Sequence, residues 1–403
     1  MKICDLTQFY SPVSGGVKRY VSEKVRYLRH QTRADEHVLI IPGERDEVID
    51  GERSRIYTLR SPLISRTSRY RVLLRLQAVE RILERERPDI IESGDPYQVA
   101  WKAASAGVAL GIPVVGFYHS HFPEAYLRSA EKFLGRTATE FVMALSRRYV
   151  RGLYNRFERT LVPSPALAAL LTSWGVHNVA TTDLGVDATV FQPLCRDPEN
   201  VRAEFGIPPG RTLLLYVGRL AQEKNTQTLF GAFRHLARAY PGQFHLLIVG
   251  DGLQRQELQV LRRELGAGGA ASAIDWLPYC AEPGRLAQLY RAADLFVHPG
   301  VQETFGLVTL EAQACGVPVI GIRGSYMDRI IHSDQTLWAS NNSVTALATA
   351  VYETAMQPIK ADPMLLHQRV AAQYSWPDVF GRLFDLYGQV IHNFHERKQR
   401  LPQ

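Results

Sequence analysis

The sequence is poor in cysteine. Its 403 residues include four cysteines with no CxxC spacing, which excludes a disulfide framework and leaves no sign of a structural metal site. We expect reduced, buried thiols of a cytoplasmic protein at Cys4, Cys195, Cys280 and Cys315.

Long hydrophobic runs, internal repeats and low-complexity segments are also lacking. No apolar run approaches the ~20 residues that a membrane-spanning helix needs. The first six residues lead into a predicted strand and not into a signal peptide. We therefore expect a protein that is either soluble in the cytoplasm or peripheral on the inner face of the membrane.

The length and hydrophobic content favour two domains. With 403 residues and 46% hydrophobic content, the chain can bury two substantial cores of roughly 200 residues each. Short apolar runs alternate with helical patterns in both halves, which predicts parallel, doubly wound α/β sheets. Ligands of such sheets bind beyond the carboxyl ends of the strands. The candidate linker, rich in proline and charge, is 192–210.

The predicted elements form two series. In the first half, helices are predicted over Gly16–Gln31 and Arg71–Glu86, between strands at Lys2–Asp5, His37–Ile41, Ile90–Glu92, Val114–Tyr118 and Thr160–Val162. In the second half, strands are predicted at Leu213–Val217, His245–Val249, Ala273–Trp276, Leu295–His298 and Val319–Ile322.

Positive charge is concentrated in the first half of the chain. The formal charge is +7, and residues 1–190 hold 27 basic and 21 acidic side chains, so the remainder is nearly balanced. Four arginines and no acid lie within 61–79, beside apolar residues such as Leu63 and Ile64. This pattern is typical either of a surface that binds an anionic membrane or of a solvated basic face.

Two carboxylates flank a predicted helix start near residue 305. A loop with Glu303 leads into a helix that begins near Phe305 and carries Glu311. The start of this helix leaves unpaired amides at its positive dipole end, where a phosphate oxygen can bind. Two acids beside a diphosphate could hold hydroxyls on either side of it, as a nucleotide-sugar site requires. The predicted site residues are Glu303, Thr304, Phe305, Gly306, Leu307 and Glu311.

Further polar groups and glycines lie where predicted strands end. Gly15 and Gly16 allow a backbone to approach a ligand and begin a helix whose amides point at it. His119 could hydrogen-bond a sugar hydroxyl or share a charge at neutral pH. Arg219 and Lys224 stand five residues apart across a strand-to-helix loop, so both cations can converge on one diphosphate.

Each of these groups also has an ordinary structural explanation. The glycines could form a turn, His119 could satisfy hydrogen bonds in the core, and Arg219 with Lys224 could be a surface pair. Gly250 closes another strand and permits close backbone approach there. Metal binding by His119 and His121 is not expected, because an extended segment points them to opposite faces and no third ligand is near.

In this order and spacing, the motifs resemble the retaining glycosyltransferases of family 4, which share the GT-B fold. The resemblance covers nearly the whole chain and is carried by the Gly15-Gly16 loop, His119, Pro163-Ser164, Gly185-Val186-Asp187 with Phe191 and Pro193, Arg219 with Lys224, and Glu303-x7-Glu311.

The resemblance implies two Rossmann-like, doubly wound α/β domains that face each other across a cleft. The first, residues 1–190, would bind the acceptor. The second, residues 191–379, would bind the nucleotide-sugar donor. A C-terminal helix at about 380–403 would pack back on the first domain.

The family pattern also implies catalytic roles. His119 would contact the donor hydroxyl near C6, and Glu303 would contact the hydroxyls near C3. Arg219, Lys224 and the amides of 304–307 would replace a metal in stabilising the leaving diphosphate. Retention of configuration is expected, with the leaving phosphate assisting deprotonation of the acceptor.

Donor binding involves further residues in this family pattern. Glu311 would hold the nucleotide ribose, and Gly16 would contact the diphosphate through its backbone. No cofactor is implied beyond the co-substrate, a UDP- or GDP-linked sugar. The remaining donor-binding positions are Gly15, Gly250, Thr304, Phe305, Gly306 and Leu307.

A short run after one strand resembles more narrowly the family members that glycosylate lipids, such as sulfolipid synthases and phosphatidylinositol mannosyltransferases. It is His119-Ser120-His121-Phe122-Pro123, with Tyr126 shortly after. Together with the arginine-rich first half, it favours a hexosyltransferase of glycolipid biosynthesis. Its partners would be a nucleotide-sugar donor, a lipid or small-molecule acceptor and an anionic membrane surface, with no nucleic acid.

Other functions remain open at this point. The same fold could act on a soluble acceptor such as a sugar phosphate, could epimerise a nucleotide sugar, or could bind without catalysis. Many relatives carry Gly-Gly-x-x-Glu where this chain has 323–329. The donor is therefore left open among UDP-glucose, GDP-mannose and others.

Overall fold

The computed structural model divides into two compact α/β units. Unit 1 comprises residues 1–184 with 376–403, and unit 2 comprises residues 185–375. The described residues are 1–10, 16–32, 34–64, 70–119, 136–193, 198–266, 273–301, 303, 305–325, 327, 329–357 and 362–400.

Unit 1 alternates strands with helices and ends in a long terminal helix. Its described strands are β1 (Lys2–Leu6), β2 (Glu36–Gly43), β3 (Glu47–Gly51), β4 (Ser54–Arg60), β5 (Ile90–Ser93), β6 (Val114–Phe117), β7 (Arg159–Val162) and β8 (Val179–Thr181). Its described helices are α1 (Gly16–Gln31), α2 (Leu76–Glu86), α3 (Gln98–Leu110), α4 (Arg136–Tyr154), α5 (Pro165–Ser173) and α13 (Trp376–Arg400).

Unit 2 repeats the alternation with shorter strands. Its described strands are β9 (Thr212–Val217), β10 (Phe244–Val249), β11 (Ile274–Leu277), β12 (Leu295–Val297) and β13 (Val319–Ile320). Its described helices are α6 (Pro198–Glu204), α7 (Thr226–Ala239), α8 (Arg255–Gly266), α9 (Pro283–Ala292), α10 (Leu307–Ala314), α11 (Val344–Ala355) and α12 (Pro363–Tyr374), with 3-10 turns at Gln222–Lys224 and Gln335–Leu337.

Each unit contains one sheet with a point where the strand order reverses. The order is β3-β4-β2-β1-β5-β6-β7-β8 in unit 1 and β11-β10-β9-β12-β13 in unit 2. The reversals fall between β1 and β5 and between β9 and β12, where doubly wound sheets bind ligands beyond the carboxyl strand ends. All described pairings are parallel except that of β3 with β4.

Several predicted boundaries are wrong, and three strands were not predicted. Helix α2 begins at Leu76 and not at Arg71, because Arg71 forms an antiparallel bridge with Leu63 and donates to the Ser61 carbonyl at 2.8 Å. The helix expected near Phe305 begins two residues later, in α10. The strands missed are β3, β4 and β8.

Apolar side chains from the strands and covering helices form a separate core in each unit. Cys4 and Cys315 are buried as expected, Cys280 is partly exposed, and Cys195 lies outside the described residues. Within the described part of the chain, no helix has both the length and the apolar composition needed to cross a bilayer.

A buried cluster of charges joins three parts of unit 1. The Lys24 side chain on α1 is fully buried, and its Nζ lies 2.8 Å from Asp5 Oδ1 and 3.2 Å from Glu92 Oε1. Asp5 and Glu92 are neighbours across β1 and β5. His37 Nε2 lies 2.6 Å from the second Asp5 oxygen, and the Tyr387 hydroxyl on α13 donates to Glu92. One cation thus links the sheet with the first and last helices.

Burial and charge act in opposite directions on the two carboxylates of this cluster. Burial raises the pKa of Glu92, and Lys24 only partly offsets this effect. Burial also acts to raise the pKa of Asp5, but Lys24 and His37 outweigh it and lower that pKa well below its usual range. The single ammonium group therefore keeps Asp5 charged while serving both carboxyl groups.

Removing the central cation should destabilise the fold strongly. In Lys24→Met, Asp5 and Glu92 would remain buried without a counter-charge, which costs about 3–5 kcal/mol in such pairs. Urea denaturation followed by circular dichroism would measure the loss. Arg26→Ala is the matched control, since the half-exposed Arg26 lies on the same helix and pairs with Glu23 at 3.4 Å, and ion pairs at the surface contribute about 0–1 kcal/mol. Equal losses in the two variants would contradict the central role of Lys24.

Candidate functional site

The carboxyl end of β9 leads into the loop that carries both predicted cations. Gly218 and Arg219 follow the strand, and Lys224 ends the 3-10 turn that precedes α7. The Tyr216 hydroxyl donates to the Arg219 carbonyl at 2.9 Å, and the Lys224 amide donates to the Ala221 carbonyl at 3.0 Å. These bonds fix the loop locally, so the positions of the two cations are set by its backbone.

Lys224 and Glu303 form the centre of the candidate site. Lys224 Nζ contacts Glu303 Oε2, and the side chains are 26% and 16% exposed. Burial acts to raise the pKa of Glu303, but the Lys224 charge and the nearby His298 outweigh it, so the pKa lies well below its usual range. Glu303 is therefore ionised at neutral pH. Among the described residues, its Oε1 has no hydrogen-bond partner.

Arg219 is not brought to this pair. Its side chain is 64% exposed, and its guanidinium lies 3.3 Å from Glu223 Oε1, one helical turn along the loop. Of the two cations predicted to converge, Lys224 contacts the acid of the other loop, whereas Arg219 extends toward solvent. An exposed pair of this kind is weak, so the guanidinium can exchange Glu223 for a stronger anion.

Helix α10 begins beside Glu303 in the sequence, at a glycine that no other residue could easily replace. Gly306 caps the helix with φ 82°, and a Cβ there would lie 2.5 Å from Met327 Cε. Phe305 is buried, and its ring lies 5.9 Å from the Arg329 guanidinium. The Thr309 amide donates to the Gly306 carbonyl at 2.9 Å, whereas the amides of Leu307 and Val308 have no partner within the helix. Thr304, predicted for this site, lies outside the described residues.

Glu311 lies inside α10 and is only 2% exposed. The Tyr290 hydroxyl on α9 donates to its Oε2 at 3.0 Å. Tyr290 is itself fully buried and packs edge-on against Phe191 and in a tilted arrangement against Phe296. The second carboxylate of the motif is therefore held by a rigid aromatic donor that the sequence reasoning did not identify.

Gly250 permits a close approach between two loops of the protein itself. With φ 145°, a Cβ at this position would lie 1.9 Å from the Gly218 carbonyl oxygen. The Gly218 amide donates to the Val249 carbonyl at 2.9 Å, and the Leu220 amide donates to the Asp251 carbonyl at 3.0 Å. In this structure the glycine packs the β10 loop against the cation-bearing β9 loop.

In unit 1, the predicted residues lie at the carboxyl ends of β1 and β6. Gly16 is the first residue of α1, is exposed, and has open space where a Cβ would stand; Gly15 lies outside the described residues. His119 stacks on Phe117 at 3.8 Å between ring centroids and meets the Tyr20 ring edge-on at 5.3 Å. The run from Ser120 onward, to 135, also lies outside the described residues.

The surroundings of His119 favour its neutral form. Burial lowers the pKa of His119 to about 3, and the Lys24 charge adds to this effect. The imidazole is therefore uncharged at neutral pH. One ring nitrogen can then donate a hydrogen bond to a hydroxyl while the other accepts one.

Three residues of the site were missed from the sequence: Tyr290, His298 and Met327. They contact Glu311, Glu303 and Gly306 respectively, and all three are buried. The sequence offers one partial signal, since His298 directly follows strand β12. Across the described residues, no group of three or more His, Cys, Asp and Glu side chains is arranged to hold a metal ion.

Two family models together match most of the chain. A model described as "Glycosyltransferase Family 4" matches residues 14–190, and one described as "Glycosyl transferases group 1" matches residues 197–362.

Individual relatives agree with these matches. A GDP-mannose-dependent alpha-mannosyltransferase of Corynebacterium glutamicum is 28% identical over 80% of this chain and 72% of its own length. A GDP-mannose-dependent alpha-(1-6)-phosphatidylinositol dimannoside mannosyltransferase of Mycobacterium tuberculosis is 30% identical over 89% of this chain and 88% of its own. The sucrose-phosphate synthase structure from Thermosynechococcus elongatus matches with a TM-score of 0.74 at 21% identity, covering 97% of this chain and 99% of that one.

Two α/β units with doubly wound sheets, together with this structural match, show the GT-B fold, and the two family models define the class as glycosyltransferases. The chain belongs to glycosyltransferase family 4. The family and fold predicted from the motifs are thereby confirmed. The likeness to lipid-glycosylating members is confirmed as well, since the mycobacterial relative is named for a phosphatidylinositol glycolipid.

The neutral state of His119 should appear as acid sensitivity of the fold. Its pKa of about 3 in the folded chain lies below the ~6.5 of an unperturbed histidine. Between these two pH values the unfolded chain binds a proton at residue 119 that the folded chain does not bind. The free energy of unfolding therefore falls as pH falls through that window, and His119 contributes at most about 1.4 kcal/mol per pH unit to this fall.

His119→Gln should lose stability less steeply than the wild type between about pH 6.5 and 3, when urea midpoints are measured across that range. His177→Gln, at an exposed histidine of the same unit, is the control. Parallel pH profiles for the wild type and His119→Gln would contradict the assignment.

Proposed function

We propose that this glycosyltransferase moves a hexose from a nucleotide-diphosphate sugar to a hydroxyl of a membrane lipid, with retention of configuration and without a metal ion. The observation that carries the proposal is the Lys224–Glu303 pair beside the start of α10. This arrangement offers positive charge to a diphosphate and a carboxylate to the sugar attached to it.

Unit 2 supplies the groups that would bind the donor. The Lys224 ammonium and the opening amides of α10 would stabilise the negative charge that develops on the leaving diphosphate. Glu303 Oε1 is available to accept a hydrogen bond from a sugar hydroxyl. Glu311, held by Tyr290, would accept a hydrogen bond from a ribose hydroxyl. Arg219 would leave Glu223 for the diphosphate when the donor binds.

Metal-free catalysis is supported by the charges that the chain itself provides. Lys224, Arg219 and the helix dipole can perform the electrostatic role of a divalent cation on the diphosphate. We propose retention because Glu303, the carboxylate beside the proposed donor position, is already paired with Lys224. Glu303, paired in this way and strongly ionised, is a poor proton acceptor, which favours acceptor deprotonation by the leaving phosphate.

In unit 1, Gly16 and His119 are the residues that we propose to contact a nucleotide sugar. The open space at the start of α1 allows a diphosphate to reach its amides. A neutral His119 would exchange a hydrogen bond with a sugar hydroxyl. The two relatives reported above are named for GDP-mannose, so GDP-mannose is the donor we propose first, ahead of UDP-linked hexoses.

A lipid acceptor is supported by the surface of α4. Phe141, Leu145 and Tyr149 follow one another at one-turn spacing and are 65%, 51% and 37% exposed. Exposed arginines of the same helix are Arg147, Arg148 and Arg151, and Glu140 is its single acid. Exposed apolar side chains among arginines suit the headgroup region of an anionic bilayer. We propose that the protein binds the cytoplasmic membrane peripherally through this α4 surface.

Loss of the Lys224 charge should strongly reduce transfer while leaving the fold intact. Lys224→Ala is expected to lower kcat/KM by about 100- to 1000-fold, as for other single groups that stabilise leaving-group charge. Transfer from radiolabelled GDP-mannose and UDP-hexoses to lipid extracts would measure it, with thermal denaturation as the folding check. Arg234→Ala, which breaks a half-exposed pair with Glu264 in the same unit, is the control. Unchanged turnover in Lys224→Ala would refute the assigned role.

Membrane binding should depend on charge and on the α4 surface. The chain should co-sediment with phosphatidylglycerol vesicles, and less so as salt shortens the Debye length from about 10 Å at 0.1 M to about 3 Å at 1 M. The double variants Phe141→Ser/Leu145→Ser and Arg147→Glu/Arg148→Glu should bind less. Arg262→Glu/Arg263→Glu, on α8 of unit 2, is the charge-matched control. No binding by the wild type would favour a soluble acceptor such as a sugar phosphate.

A further inference from the structure

The residue that follows β12 is a buried histidine directed at the catalytic carboxylate. His298 is 4% exposed, and its amide donates to the Ile320 carbonyl at 2.9 Å. Its backbone is thereby anchored to the sheet beside β13. Its side-chain Nε2 lies 3.9 Å from Glu303 Oε2, the oxygen that Lys224 also contacts.

The two ring nitrogens have different surroundings. Nε2 faces the Glu303 carboxylate, and an imidazole nitrogen attracts a carboxylate when it carries a proton. Nδ1 is buried without a hydrogen-bond partner within the described residues. A Cβ on Gly300 would lie 3.0 Å from the ring carbon Cε1, so the ring packs tightly against the turn that leads to Glu303.

An apolar residue would fill this position at lower cost. A buried polar atom without a partner costs about 1–3 kcal/mol, and such atoms are few in native proteins. The cost of the unpartnered Nδ1 is explained if a proton on Nε2 is needed to attract Glu303. Glu303 lies on a loop with one cation on one of its oxygens, and a second contact restricts rotation of the carboxylate about its side-chain bonds.

We propose that His298 is a positioning residue for the transfer reaction, which orients Glu303 so that Oε1 faces a hydroxyl of the donor sugar. The inference rests on the proposed function. Lys224 and His298 share Oε2, which leaves the opposite oxygen for the substrate. Misplacement by about 1 Å can lower a rate about 100-fold, so this orientation affects catalysis more than it affects nucleotide binding.

Unit 2 contains a second histidine that provides a matched control. His245 is 1% exposed, its Nε2 lies 2.9 Å from Asp275 Oδ2, and its Nδ1 also lacks a partner among the described residues. His245 is the second residue of β10 and pairs with Leu213, so it lies at the amino ends of the strands. The two histidines have the same chemistry, but only His298 lies at the edge where ligands bind.

Two polar replacements separate positioning from packing. In His298→Gln the amide nitrogen can reach the place of Nε2, whereas in His298→Asn it reaches only the place of Nδ1. We expect His298→Gln to keep kcat within about three-fold of the wild type and His298→Asn to lose about 10- to 100-fold, with the KM for donor and the affinity for GDP or UDP changed less than about two-fold. His245→Asn should leave kcat unchanged.

Steady-state kinetics on the full chain, GDP and UDP titrations, and thermal denaturation of each variant would give these values. If His298→Asn keeps full kcat, or if His298→Gln and His298→Asn fall equally, the positioning role is wrong. A loss of nucleotide affinity as large as the loss of kcat would also overturn it. Absence of transfer by the wild type with every donor and acceptor would instead overturn the proposed function, and this inference with it.

Discussion

The contact between Lys224 and Glu303 is the interaction on which the candidate site depends. The two residues are distant in sequence and lie on the loops that follow β9 and β12. These strands are neighbours in the sheet of unit 2, so the two loops start side by side and the side chains can touch. Burial alone would favour protonation of Glu303. The ammonium reverses this preference and keeps the carboxylate charged. A charged acid can hold a sugar hydroxyl, and an ammonium group beside it can attract phosphate oxygens.

Backbone packing is what allows this contact to form. Gly250 lets the β10 loop lie directly on Gly218, at a distance that no Cβ would permit. The β10 loop thus packs against the part of the β9 loop that precedes Lys224. Gly306 likewise allows close packing at the start of α10, since it has a positive φ and Met327 packs against it. The functional side chains are therefore placed by loops whose shapes are set by glycine and by hydrogen bonds between main chains.

The sequence was informative where a local pattern is sufficient. The βα alternation predicted both sheets, and the spacing from Glu303 to Glu311 predicted an acid on either side of the start of α10. Tyr290, His298 and Met327 could not be found in this way, because each acts through a contact across the fold and none belongs to a local motif. The guanidinium of Arg219 lies 3.3 Å from Glu223 in this structure, and its convergence with Lys224 on a diphosphate stays a prediction.

In unit 1, burial and charge likewise determine the state of His119. The buried Lys24 ammonium forms ion pairs with Asp5 and Glu92 and donates a hydrogen bond to the Tyr387 hydroxyl of α13. Its charge also reaches His119 and opposes protonation there. The cation that fastens α1 and α13 to the sheet therefore also helps keep His119 neutral. Stability and protonation state share one cause here, so a change at Lys24 would alter both the stability of unit 1 and the pKa of His119.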